Sequence, residues 1–244
     1  MKGDHIMKMG VIIVVFLLVA LGFLLLAWFS ERVSKKKNGD TERILTTRKV
    51  VVTGMFSAIA ALLMLVELPV FFAPGFYKID LSELPPLICG FAFGPVAGVM
   101  TELIKIILKV VIKGTSTAMV GELANFVVGC CMVLPASLVY SFGKSKSRAR
   151  MACILGTLCM SVAGSLMNAF FLIPAFAAMF GMPVDAIIEM GTALNPGITN
   201  IWTFVLFAVV PLNIIKGTLV SIVTLLVYKK VSPVMKRSGV TAKA

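Results

Sequence analysis

Long apolar segments follow one another along almost the whole chain, and they restrict it to a fold built inside a lipid bilayer. Most of them approach or exceed the ~20 residues that an apolar helix needs to cross a membrane. Hydrophobic residues make up 59% of the 244, against 14% charged residues. The sequence therefore predicts an all-α integral membrane protein. The predicted segments are 9–29, 50–72, 84–94, 95–112, 119–142, 151–180 and 202–228.

Segment 84–94 differs from the others because it is too short to span the bilayer alone. It ends at Gly94 and Pro95, which interrupt a helix. We predict a short or broken helix that is packed inside the protein.

Basic residues are concentrated beside three of the segments, and their positions predict the orientation of the chain. Most of the 23 Lys and Arg residues lie in 32–49, 144–150 and 229–243. An even number of predicted spans separates each cluster from the next, so all three fall on one side. The positive-inside rule makes that side cytoplasmic, with the N-terminus outside and the C-terminus inside the cell. The net charge of +12 thus indicates topology and contact with anionic lipid headgroups, and not nucleic-acid binding.

The same features divide the chain into four parts. Residues 1–30 are predicted to be a retained transmembrane anchor, because the apolar stretch is about twice as long as that of a secretory signal. A basic cytoplasmic linker, 31–49, leads to a substrate-binding membrane domain, 50–232, and a basic cytoplasmic tail, 233–244.

Asn213 and Lys216 stand out because they lie inside the last apolar segment. An ionisable side chain at bilayer depth costs roughly 2.5–3.5 kcal/mol, so it is retained where something inside the protein needs it. Positions i and i+3 share one face of a helix, so the amide and the ammonium can address one ligand. The alternative is that Lys216 only extends to the membrane interface.

Further polar residues of the later segments extend this hypothesis. Glu122 and Asn125 share a helix face, and Asn168 interrupts an apolar stretch. An isolated Asn often only bonds to a neighbouring helix. Together with Asn213 and Lys216, however, these residues are typical of the few convergent polar groups in a small-molecule pocket.

The segment 73–86 carries Gly and Pro residues with mixed charges, which predicts an ordered external loop. Such a loop is either a lid over a cavity or a simple connector. Its Tyr77, Lys78 and Asp80 are candidate substrate-binding residues.

Charged residues also occupy one face of segment 95–112. Glu102 and Lys105 are three residues apart, and we expect a buried ion pair between them. Lys109 and Lys113 lie closer to the external end and are expected to reach the interface.

Small residues at four-residue spacing mark segment 50–72. Gly54, Ser57, Ala58 and Ala61 allow a second helix to approach closely, either from a partner subunit or from the same chain.

The sequence lacks the residue patterns of three common catalytic or cofactor sites. His5 is the single histidine, and the five cysteines lie in apolar segments without a CxxC motif. A zinc site, a His-based triad or a Walker loop cannot be assembled from such a chain. We expect no cofactor and no metal, and any ATPase must be another polypeptide.

Five short motifs in a fixed order resemble the riboflavin-binding S components of energy-coupling-factor (ECF) vitamin importers. The resemblance covers about residues 48–232, and the extra N-terminal helix departs from it. The motifs are KIDLSELP at 78–85, FGPVAG at 93–98, GELANF at 121–126, LMN at 166–168 with LIP at 172–174, and PLNIIKG at 211–217.

This resemblance implies a six-helix body whose vitamin pocket opens outward beneath the loop after the first helix. It also implies a membrane coupling subunit and two cytoplasmic ATPases as partners. Asn168, Asn213 and Lys216 are then expected to bind the flavin or its ribityl chain, with Glu122 and Asn125 beside them. The face formed by Gly54, Ser57, Ala58 and Ala61 is expected to dock on the coupling subunit.

Several alternatives stay open on the sequence alone. Composition does not select one vitamin, and the resemblance selects riboflavin, captured outside the cell for ATP-driven uptake; the alternative is the same architecture serving thiamine, folate or biotin. Flavin mononucleotide (FMN) is a second candidate ligand. An intramembrane enzyme that uses Glu102 or Glu122 as an acid or base lacks an accompanying nucleophile or metal set. A secondary transporter should contain inverted repeats, and none is evident.

Overall fold

The computed structural model describes residues 2–115 and 117–237, with side chains from 10 to 228, and most of this part is helical. The helices are α1 (Lys2–Asn38), α2 (Thr47–Leu65), α3 (Leu84–Phe93), α4 (Pro95–Lys113), α5 (Val120–Ser141), α6 (Lys146–Met167), α7 (Ile173–Phe180), α8 (Val184–Thr192), α9 (Ile201–Phe204) and α10 (Val210–Arg237). A π-helical turn, Asn168–Leu172, joins α6 to α7, and a second, Val205–Val209, joins α9 to α10.

Five stretches of the described residues are long and apolar enough to cross a membrane, which confirms the all-α membrane fold. They are Gly10–Asn38, Thr47–Leu65, Val120–Ser141, Lys146–Phe180 and Ile201–Tyr228.

The α1 helix is longer than the anchor predicted for residues 1–30. It continues to Asn38, so the part of the predicted linker that is not helical shrinks to 39–46. The α1 helix packs against α4 and α5, where Phe16, Ala20 and Ala27 are buried. The tail predicted at 233–244 is helical as far as Arg237, and 238–244 lie outside the described residues.

The prediction of a short helix at 84–94 is confirmed by α3, which is buried over most of its length. Gly94 reverses the chain into α4 with a φ of 109°, a conformation that favours glycine because a Cβ is strained there. The carboxylate of Glu31 lies against this corner, and its Oε2 accepts the backbone N–H of Val96 over 3.0 Å. The α1 helix therefore caps the N-terminus of α4.

Several polar segments meet at this same end of the bundle. The amide of Asn38 donates to the carbonyl oxygen of Ser141 over 2.7 Å, and a cavity there is lined by residues of α1, the linker, the α3–α4 corner and the α5–α6 turn. Two of the three predicted basic clusters, 32–49 and 144–150, therefore lie at one end of the molecule.

The π-helical turns interrupt segments that the sequence predicts as continuous helices. Each turn is followed by a proline, Pro174 in α7 and Pro211 in α10. Because proline has no N–H, the carbonyl four residues before it loses its helical partner, and a wider turn accommodates the loss. Both turns lie beside the polar residues predicted for the ligand site.

The loop after α2 is ordered, as the sequence predicts. Two short strands, β1 (Leu68–Pro69) and β2 (Lys78–Ile79), pair in antiparallel orientation with Leu68 opposite Ile79. Ala73, Tyr77 and Ile79 are buried in a core that the π-helical turns, α7 and α8 complete. The loop is thereby folded over the end of the bundle opposite the linker. The α8 helix, which packs against α7 and α9, was not predicted from the sequence.

Candidate functional site

A cavity of about 520 Å³ lies beneath this loop, between α4, α5, α6 and α10. Its volume falls within the roughly 300–1,000 Å³ of small-molecule sites. All eight residues that the sequence suggested for substrate binding line it. They are Tyr77, Lys78, Asp80, Glu122, Asn125, Asn168, Asn213 and Lys216.

Asparagine side chains from three helical elements point their amides toward this cavity. Asn168, in the first π-helical turn, accepts a hydrogen bond from Tyr77 Oη over 2.5 Å and donates to the carbonyl of Gly164 over 2.7 Å. Asn213 donates to the carbonyl of Val209 over 3.0 Å. Asn125 lines the cavity without a hydrogen-bond partner among the described residues. The loop is thus tied to the asparagine cluster through Tyr77, and the Asn125 amide is free for a ligand.

Lys216 is placed differently from the sequence-based hypothesis. Its ammonium lies 3.1 Å from Asp80 Oδ2 and 3.0 Å from Glu83 Oε2, and the residue is 6% exposed. It neither reaches the interface nor depends on a ligand for compensation, because the loop supplies two carboxylates. Glu83 was not among the predicted site residues, although it belongs to the KIDLSELP motif.

A second buried lysine extends this ion-pair cluster. Lys105 Nζ lies 2.5 Å from Glu102 Oε2 and 3.5 Å from Glu83 Oε1, which confirms the predicted Glu102–Lys105 pair. It also donates to Ser82 Oγ over 3.2 Å. Glu83 is therefore shared by lysines from α4 and α10. These contacts fix the end of the loop to the floor of the cavity.

Glu122 is engaged by its own neighbourhood. Its Oε1 pairs with Lys109, and its Oε2 accepts hydrogen bonds from Thr115 Oγ1 at 2.9 Å and Thr117 Oγ1 at 3.0 Å. Lys109, which was expected to reach the interface, instead joins α4 to α5. Glu122 lines the cavity, but its carboxylate is already bonded to Lys109, Thr115 and Thr117 and thereby stabilises the cavity wall.

The mouth of the cavity carries a smaller charged group around Glu67. Lys78 Nζ lies 2.6 Å and Lys113 Nζ 3.3 Å from its carboxylate. Burial alone raises the pKa of Glu67, but the hydrogen bonds from the two lysines outweigh it and hold the pKa below its ordinary value. The group is therefore two ammoniums around one ionised carboxylate.

The structure does not bring the four small residues of α2 together on one accessible face. Ser57 and Ala61 are buried inside the bundle, whereas Ala58 is exposed and Gly54 is partly buried. Residues three and four apart share one side of a helix, but the bundle itself covers the part of that side that carries Ser57 and Ala61. Ala58 lies among the exposed apolar residues Met55, Ile59 and Leu62.

Comparison with known proteins identifies the family. A family model for the "ECF transporter, substrate-specific component" matches residues 48–228, which include every cavity residue named above. The chain belongs to this family of S components.

The relatives of this S component agree with the match. It is 31% identical over 190 residues to the "Riboflavin transporter FmnP" of Bacillus subtilis (strain 168), with 78% of this chain and 94% of the relative covered. It is 30% identical to the "Riboflavin transporter RibU" of Staphylococcus aureus (strain TCH60), with 78% and 93% covered. A solved structure, described as "Structure and mechanism of the S component of a bacterial ECF transporter", matches with a TM-score of 0.60 and 31% identity over 78% of this chain and 98% of that one.

The α1 helix stands apart in these comparisons. The family match of this S component begins at residue 48, after α1. Because 94% of FmnP and 93% of RibU are matched, little of either chain is left for a counterpart. The α1 helix and its docking on α4 and α5 are therefore additions to the body that these proteins share.

Proposed function

We propose that this S component captures riboflavin in the cavity beneath the loop and delivers it for ATP-driven uptake. The convergence of all eight predicted residues on one cavity of about 520 Å³ is the observation that carries this proposal. The names of the relatives support the choice of riboflavin over thiamine, folate or biotin. The S component itself performs no covalent chemistry and needs no cofactor, since riboflavin is its cargo.

The chemistry of the cavity suits a flavin. An isoalloxazine ring presents carbonyl acceptors beside an N–H donor, and a primary amide matches both because it donates and accepts. Asn125 and Asn213 supply such amides. Phe76 and Phe176 also line the cavity with their ring centroids 5.6 Å apart, and they offer apolar surface to the ring system.

The test is a fluorescence titration of the purified S component with riboflavin. Binding quenches flavin fluorescence, and protein that retains its ligand through purification is yellow. Asn125→Ala is expected to weaken binding by about 1 kcal/mol or more, roughly fivefold, because one ligand-facing hydrogen-bonding group is lost. Asn38→Ala, which removes an amide at the opposite end of the bundle, is the matched control. A colourless protein whose titration leaves riboflavin fluorescence unchanged, or which binds thiamine instead, contradicts the proposal.

We further propose that FMN is accepted, with its phosphate at the mouth of the cavity. Lys78 and Lys113 bring two ammoniums to one carboxylate there, which leaves a net positive charge for a phosphate. Lys78→Gln is expected to weaken FMN binding more than riboflavin binding. Equal loss for both ligands would exclude a phosphate contact.

The proposed orientation places the loop outside the cell and both basic clusters, with the C-terminus, in the cytoplasm of a bacterium. It follows from the charge distribution. In this arrangement the exposed α2 face around Ala58 meets the membrane coupling subunit, which connects to two cytoplasmic ATPases. A reporter that is active only in the cytoplasm, fused to the C-terminus, tests the orientation. An inactive fusion in cells that express the protein would mean that the C-terminus lies outside the cell.

A further inference from the structure

An apolar groove of about 420 Å³ lies between α1 and α4 on the outer surface of the bundle. Its walls come from α1, the linker and the first half of α4. They include Leu24, Leu25, Trp28, Leu45, Met100 and Leu103. Leu25 is 58% and Leu45 48% exposed, so the groove is open to the surroundings of the helices. It is separate from the cavity beneath the loop, with which it shares no lining residue.

The cytoplasmic end of this groove is basic. The guanidinium carbon of Arg32 lies 4.1 Å from the centroid of the Trp28 ring, and Arg32 itself is exposed. Lys36 and Lys37 follow in the last turn of α1, where Lys35 is already paired with Asp40. One helical turn therefore separates a purely apolar wall from a positively charged rim.

We propose that this groove binds an anionic phospholipid of the cytoplasmic leaflet. The acyl chain lies along the groove, and the phosphate of the headgroup meets Arg32. Arginine is suited to this role because its planar guanidinium can stack on Trp28 and bond to phosphate oxygens at the same time. The negative charge of the headgroup complements the basic rim.

The dimensions favour an acyl chain over a helix of a partner subunit. The α4 wall runs from Val96 to Ile104, which at 1.5 Å per residue is about 12 Å. That is less than half of the ~30 Å hydrocarbon thickness and matches part of one leaflet. A partner transmembrane helix would pack along most of its own length, whereas an acyl chain can bind in a groove of this length.

The site exists because α1 is present. Trp28, Arg32 and Leu45 all precede residue 48, where the family match begins. The lipid thus joins an added helix to a helix of the shared body, and it contributes to holding α1 on α4.

The test uses the full chain, purified in detergent and supplied with phosphatidylglycerol or with phosphatidylcholine of the same acyl chains. Native mass spectrometry counts the bound lipid, and thermal unfolding measures its effect. We expect phosphatidylglycerol to bind more tightly and to raise the unfolding temperature more. Arg32→Gln should weaken phosphatidylglycerol binding about fivefold, the effect of one basic residue beside an anionic headgroup, and leave phosphatidylcholine binding unchanged.

A second variant tests the acyl-chain seat. Leu25→Trp places a large side chain in the groove from its open side and should reduce the retention of both lipids. The controls are Arg150→Gln, in another basic cluster, and Leu158→Trp, on the exposed face of α6. Lipid retention that is the same in each variant and its control overturns the proposal. So does equal binding of the two lipids. If Leu25→Trp leaves lipid binding intact but abolishes uptake with the partner subunits, the groove binds a protein helix and the proposal is wrong.

Discussion

Gly164→Ala is predicted to weaken riboflavin binding, although residue 164 has no side chain that could contact the ligand. A Cβ at residue 164 would lie 2.5 Å from Nδ2 and 2.9 Å from Cγ of Asn213. The favourable van der Waals separation of two non-bonded heavy atoms is roughly 3.5–4.0 Å. The Asn213 amide must therefore rotate away and lose its 3.0 Å hydrogen bond to the Val209 carbonyl. It then no longer presents its donor and acceptor to a ligand in the cavity.

The size of the effect follows from the hydrogen bonds that are lost. A single hydrogen bond contributes about 0.5–1.5 kcal/mol, and a buried partner left unsatisfied costs about 1–3 kcal/mol. For one displaced amide we expect riboflavin binding to weaken by about 1.5–3 kcal/mol, or roughly 10- to 150-fold in Kd. The fold should survive, because alanine is favoured over glycine inside a helix by about 1 kcal/mol, which offsets part of the steric strain.

Fluorescence titrations of Gly164→Ala, Asn213→Ala and the double variant test this mechanism. Once Asn213 is shortened to alanine, the new Cβ at 164 has nothing to displace, so the double variant should bind like Asn213→Ala alone. Gly54→Ala is the matched control, because a Cβ at that helical glycine meets nothing within 4 Å. Unchanged affinity in Gly164→Ala, or losses of the two single variants that add in the double variant, would refute the reasoning.

Three further substitutions test separate parts of the molecule. Lys216→Met leaves Asp80 without its partner and Glu83 with Lys105 alone, and should lower the free energy of unfolding by about 3–5 kcal/mol. Thermal unfolding should show partial recovery when Asp80→Asn is added, and no recovery would argue against the pair. Tyr77→Phe removes the hydrogen bond that Tyr77 Oη donates to Asn168 Oδ1. Riboflavin binding should weaken about fivefold or more, because this bond connects the loop to Asn168. An unchanged Kd would show that the bond does not contribute to ligand binding. Ala58→Trp should abolish uptake in cells that express the partner subunits while the purified protein binds riboflavin normally, and lost binding would instead mean that α2 packs internally at this position.

The periodic and compositional features of the sequence predicted the framework of this fold. The apolar segments became helices, because length and hydrophobicity decide whether a helix can lie in a bilayer, although α1 continues to Asn38 and α2 already ends at Leu65. The short α3 was predicted for the same reason, from its length and from the glycine and proline after it. Glu102 and Lys105 were predicted to pair because three-residue spacing within one helix fixes their proximity.

Features that depend on contacts between distant segments were not predicted. The π-helical turns arise from prolines inside apolar runs, and a proline alone does not distinguish a kink, a break or a wider turn. The nine-residue α8 helix carries Val184, Ile187 and Ile188 at helical spacing, but it is far shorter than a membrane span, so the length criterion that predicted the other helices missed it. The small residues of α2 were assigned to one docking face, but the packing of α3 and α4 against α2 buries Ser57 and Ala61. Spacing identifies faces that allow close approach, and only the fold decides what approaches them.

Lys216 illustrates where such an argument needs the structure. A lysine inside an apolar helix must be compensated, and the sequence offered a ligand as the compensating group. The nearest carboxylates in the fold belong to the loop, 136 and 133 residues earlier in the chain, and they reach Lys216 within 3.1 Å. Burying the charged carboxylates of Asp80 and Glu83 in the bundle requires positive charges beside them. The ammoniums of Lys105 and Lys216 provide these charges. The lysine thus determines where the loop is held, and the amides of Asn125 and Asn213 remain as the groups whose polarity a ligand has to satisfy.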